Sequence, residues 1–74
     1  MIAIQRHYRF ANGYGASVVR NKMSYGGKDG LYEIAVLKGD DICYSTPITS
    51  DVIGWLDIFG VKKVLTDIKN LPPY

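Results

Sequence analysis

Apolar and polar residues alternate from Ile2 to Phe10. Ile2, Ile4, Tyr8 and Phe10 share one parity, and Gln5, His7 and Arg9 share the other. A period of two predicts a β-strand with one buried face. Asn12-Gly13 follows at once, the dipeptide that most strongly signals a tight hairpin because both residues accept positive φ. A second strand is expected over residues 14–20, with Gly15 and Ser17 on the face opposite Tyr14, Ala16 and Val18. Small residues on one face let a neighbouring element come close.

Residues 21–30, NKMSYGGKDG, break the alternation. They form a glycine-rich polar loop, longer than the roughly two to five residues usual in a hairpin. LYEIAVL, residues 31–37, is dense in β-branched and apolar side chains and reads as a central strand buried on both faces. KGDD is a tight turn, and ICYS, residues 42–45, is the short return strand. In TPITSDVIGWL, Pro47 cannot donate to a ladder and pushes Thr46 to an extended conformation. Thr49, Ser50 and Asp51 are candidate N-caps for one helical turn through Val52 and Ile53. Asp57 is the expected N-cap of a C-terminal helix. Val61, Val64, Leu65, Ile68 and Leu71 fall on one face of it, Lys62, Lys63, Asp67 and Lys69 point outward, and Pro72-Pro73 ends it.

These elements predict a single α+β domain over residues 1–74, an antiparallel β-meander of about four strands packed on one C-terminal α-helix. One helix covers one face of such a sheet. The other face, expected to carry some of the tyrosines and to include Arg9, His7 and Tyr32, is left to water or a partner.

Composition narrows the chemistry. A chain of 74 residues builds only a small core. Cys43 is alone, so no internal disulfide forms, and a lone cysteine suits a reducing cytoplasm. One cysteine and one histidine make a closed zinc site within one chain untenable, and no cofactor is expected. Self-association remains as a stabiliser. No apolar run reaches the ~18 residues of a membrane span, and MIAIQRHYRF does not read as a signal peptide. A net charge of +2, with acids interleaved among the bases, argues for weak or no nucleic-acid binding.

No catalytic residues emerge. His7, Cys43 and the serines form no nucleophile motif. His7 reads as an exposed strand residue, Cys43 as a small buried hydrophobe, and Asp40-Asp41 as turn chemistry. SYGGKDG lacks the hydroxyl residue of a phosphate-binding P-loop and precedes a strand rather than a helix. Tyr8, Phe10, Tyr14 and Tyr32 offer stacking rings to RNA, but they share strands with aliphatic residues, which favours the core. The loop 21–30 exceeds structural need. Its Lys22, Met23, Tyr25 and Lys28 are suited to binding a partner protein, or else it is only a solvent-exposed connection. Trp55 and Phe59 lie four residues apart near the start of the last helix, and Trp55 fits neither the helix's core row nor a strand. A partly exposed position and a weak homodimer are the expectation for them.

NGYGASVV, SYGGKDGLYEIAVL and CYSTPITSDVIGWL together resemble a group of small proteins encoded by bacteriophages and prophages, from about Tyr8 to Leu71. In that group acidic residues open the last helix after a hydroxyl cap, whereas this chain has Asp57-Ile58-Phe59-Gly60, which exposes more apolar surface. The resemblance carries no catalytic residues. It implies a cytoplasmic protein of an infected or lysogenic bacterium that binds a host protein stoichiometrically. The host protein would be a CRISPR-Cas or other defence component that the small protein inhibits. The alternative is a nucleic-acid-binding accessory protein of a phage.

Overall fold

A computed structural model describes residues 3–49 and 51–73. The strands are β1 (Ile4–Arg9), β2 (Tyr14–Arg20), β3 (Tyr32–Lys38), β4 (Asp41–Ile42) and β5 (Val52–Leu56), followed by α1 (Ile58–Lys69). All strand pairs are antiparallel, in the order β1-β2-β3-β4, with β5 also on β3. The architecture is the expected α+β arrangement, and β2 coincides with the predicted span. The first strand was expected from Ile2, which lies outside the described residues.

The core lies between the sheet and α1. Ala16, Val18, Ile34, Val36, Cys43, Val61 and Ile68 are buried there, and Tyr8, Phe10, Tyr14, Tyr32 and Leu56 pack against them. Tyr8, Phe10 and Tyr14 thus lie on the core side that their strands predict, and Tyr32 joins them there instead of lying on the open face with Arg9 and His7. Their strands twist, so large rings fill the margins that a single helix leaves uncovered. The open face instead carries Gln5, His7, Arg9, Ser17, Val19, Glu33, Leu37 and Val52, around a concavity of ≈ 470 Å³.

Residues 52–53 are strand, not a helical turn. Val52 pairs with Ala35 and Ile53 with Ile34. A buried strand needs both edges hydrogen-bonded, and one helical turn would leave most of its own groups unpaired. The hydroxyls upstream serve turns instead: the Ile48 and Asp51 N–H groups donate to Thr46 and Thr49 Oγ1. Ser50, the other candidate cap, lies outside the described residues. β4 is shorter than ICYS because the chain leaves the sheet after Cys43, whose N–H donates to Val36 O at 2.7 Å. Residues 44–49 and 51 thus run outside the sheet, between β4 and β5 on the same edge of β3.

Asn12-Gly13 makes a hairpin of another kind than the two-residue turn. Phe10 N–H donates to Tyr14 O and Gly13 N–H to Phe10 O, so Ala11, Asn12 and Gly13 form a three-residue loop. Only Gly13 takes positive φ, at 90°. Asn12 is freed to use its side chain. Its Oδ1 accepts from Tyr14 N–H, and its Nδ2 donates to Ile68 O, Lys69 O and Leu71 O at 2.9, 3.1 and 3.0 Å. The last carbonyls of a helix have no intrahelical donor, so this amide closes the C-terminal end of α1. Asp57 caps the other end, accepting from Gly60 N–H at 2.7 Å. The helix stops at Lys69 with Asn70 as C-cap, before Pro72-Pro73.

No helix among the described residues is long and apolar enough to cross a membrane. Two substitutions test the packing. Asn12→Asp removes the donors and sets a carboxylate against the negative end of α1, which is expected to cost about 2 kcal/mol or more in urea unfolding. Ile34→Ala, at a fully buried position of β3, is expected to cost about 2–5 kcal/mol and to leave so small a domain largely unfolded.

Candidate functional site: an exposed tryptophan held by a bulge and a folded loop

Between Ile53 and Leu56, Gly54 and Trp55 together stand opposite Glu33 alone, which makes a β-bulge. Trp55 adopts φ 59°, the left-handed region, alone among the described non-glycine residues. For a bulky side chain this conformation costs about 1–2 kcal/mol. Trp55 is nevertheless 61% exposed. Burial of its ring does not offset the strain, so the surroundings must.

The loop 21–30 supplies those surroundings. It is internally bonded: Asn21 Oδ1 accepts from the N–H groups of Met23 and Ser24, and Ser24 Oγ bonds both the N–H and the carbonyl of Asn21. A single 3₁₀ turn, Gly27–Asp29, is flanked by Gly26 and Gly30, both left-handed. Tyr25 then ties the loop to the sheet. Its N–H donates to Glu33 Oε1 at 3.1 Å, and its carbonyl accepts from Trp55 N–H at 3.1 Å. Its side chain lies across Gly54, where a Cβ would stand 2.4 Å from Tyr25 Cβ. On the other side a Cβ on Gly26 would stand 2.9 Å from Trp55 Cα. Two glycine-dependent contacts thus lock one aromatic pair, and the GG of the sequence serves close packing rather than phosphate binding.

Tyr25, Trp55, Lys22 and Lys28 line a shallow groove of ≈ 300 Å³ with Asp29 beside them. Three of the four residues expected from the sequence are therefore brought together. Met23, 92% exposed, lies outside this groove and shares an adjacent depression with Lys22. Trp55 is the addition. The sequence marks it only as an aromatic residue that fits no element, since a bulge leaves no periodic signature. Phe59, 75% exposed, and Ile58 extend the apolar surface at the start of α1.

The other candidates do not assemble. His7 is exposed and faces Ser17 across β1–β2 without a hydrogen bond, while Asp40 is paired with Arg9. Cys43 is buried. Hydrogen bonding to the Ser45 side chain and backbone lowers its thiol pKa, against the opposing effect of burial. Among the described residues no group of three or more His, Cys, Asp or Glu side chains is placed to hold a metal ion.

No known protein family, curated protein or solved structure matches the chain. Its own geometry is what bears on function.

Asn tolerates the left-handed region far better than Trp. Trp55→Asn is therefore expected to melt within about 1 kcal/mol of the parent, or above it, despite the lost ring contacts. Gly26→Ala, which forces a Cβ into a φ of 85° against the Trp55 backbone, is expected to cost more than about 1 kcal/mol. Thermal melting of both variants checks the assignment of strain.

Proposed function

We propose that this is a small non-enzymatic accessory protein of the bacteriophage type that acts by stoichiometric binding to a host protein, with Tyr25, Trp55, Lys22 and Lys28 as the contact surface and Met23 beside it. The observation that carries this reading is the strained, exposed Trp55. A backbone outlier that persists without burying its side chain points to use of that side chain, because strain of this kind gathers at functional positions. Tryptophan, tyrosine and methionine are the residues that protein interfaces favour, and tryptophan and tyrosine dominate their energetics. The resemblance to phage proteins adds the partner class, a component of a bacterial defence system such as CRISPR-Cas, and a cytoplasmic setting in the infected cell.

A second reading has one observation in its favour. Two exposed rings flanked by Lys22 and Lys28 also suit base stacking with phosphate contact. Salt dependence separates the two. Oligonucleotide binding at physiological salt is expected to be weak, and a sub-micromolar affinity that falls steeply with salt would contradict the protein-binding reading.

The direct test is affinity capture from a bacterial lysate, followed by titration of the captured partner with parent and variants. Tyr25→Ala keeps the Cβ that packs on Gly54. Combined with Lys28→Ala, it is expected to fold like the parent and lose about thirty-fold in affinity. Binding equal to the parent's would reduce the loop to a connection.

A further inference from the structure

The two edges of the sheet are treated differently. The β4–β5 edge is interrupted where the chain leaves the sheet after Cys43, kinked by the bulge at Gly54 and Trp55, and covered where Trp55 N–H bonds Tyr25 O. These are the usual devices that keep a sheet edge from pairing. The β1 edge has no break, bulge or proline through Ile4–Arg9.

Its hydrogen-bond parity follows from the register. Phe10 N–H donates to Tyr14 O, and Ile4, Arg6 and Tyr8 stand in the same parity opposite Arg20, Val18 and Ala16. Bonded and non-bonded pairs alternate along an antiparallel ladder. Gln5, His7 and Arg9 therefore direct their N–H and C=O groups away from β2. No described residue pairs with them, and all three are exposed.

We propose that the β1 edge binds an acidic, extended segment of a partner protein as an added strand, through the backbones of Gln5, His7 and Arg9. Charge selects the occupant. Arg6 and Arg9 place cations on both faces of the strand. Among the described residues Asp40 is the acid paired with Arg9, in an ion pair whose side chains are both exposed and which therefore competes weakly. Two copies of β1 paired antiparallel about a two-fold axis would set these cations against one another, which disfavours a dimer through this edge. An incoming strand with Asp or Glu at alternate positions meets them favourably, and main-chain bonds supply the rest of the affinity. This surface is separate from the Trp55 groove and does not depend on it.

The test is selection of a random-sequence peptide library against the whole protein, with amide hydrogen exchange on the complex. Recovered peptides are expected to alternate Asp or Glu with β-branched residues, and to slow exchange at Gln5, His7 and Arg9. His7→Pro removes an outward N–H and no bond to β2. It is expected to melt like the parent and to weaken the peptide by about ten-fold or more, a loss of one main-chain bond and its neighbours. Arg6→Glu, which leaves the backbone intact, is expected to weaken it as well. Recovery of no peptide, recovery of peptides without acidic bias, or unchanged affinity in both variants would overturn the proposal. Peptides that protect the loop 21–30 and depend on Trp55 would overturn it while leaving the groove reading standing. A dimer that His7→Pro dissociates would show a second copy to be the occupant instead.

Discussion

Every backbone group along the outer edge of β3 has to find a partner, and two short strands, β4 and β5, divide that edge between them. Lys38 and Val36 are served by residues 41–43, and Ile34 and Tyr32 by β5. The chain leaves the sheet between the two, returns at Val52 and Ile53, and then slips by one residue before Leu56. That extra residue is the bulge at Gly54 and Trp55. The loop 21–30 then closes over the same edge through Tyr25. The candidate surface is thus a consequence of how the central strand completes its hydrogen bonds.

The helix imposes the second constraint. With twelve residues, α1 covers only the middle of the sheet, so the tyrosines of β1, β2 and β3 fill its margins. Backbone N–H groups of Asn70 and Leu71 reach Ile68 O, but the carbonyls of Lys69 and Leu71 still call for a donor at the rim of this core. Asn12 meets that need from the far end of the sequence, and so joins the first hairpin to the last turn of the last element. Local chain chemistry and long-range closure meet in one side chain, which is why a nominal turn residue bears on global stability.

Much of this was legible in the sequence, for identifiable reasons. β2 and β3 carry dense β-branched and apolar residues between clear punctuators, and α1 carries both its cap at Asp57 and its apolar row. The failures are equally specific. Asn-Gly was read by its intrinsic turn preference, but the third loop residue, Ala11, shifts the geometry and leaves only Gly13 with positive φ. Thr49, Ser50 and Asp51 resemble helix caps, yet the unpaired edge of β3 recruits Val52 and Ile53, and tertiary pairing overrides a weak local preference. Lys22, Tyr25 and Lys28 were visible because a long loop with aromatic and basic residues is unusual. Trp55 was visible only as a misfit, because its role depends on a register slip that no local pattern encodes. Gly26 reads as loop chemistry for the same reason, whereas Gly26 and Gly54 let Trp55 and Tyr25 approach the backbone.

The central claim is that the fold holds an exposed tryptophan rigidly at its own energetic cost. Trp55 is the single tryptophan of the chain, so its fluorescence can be read without interference from another indole. Time-resolved anisotropy tests the claim most directly. The account predicts a solvent-exposed emission spectrum together with depolarisation at the tumbling rate of the whole protein. A large, fast local depolarisation would show a ring that swings freely on a relaxed backbone, and would contradict the account.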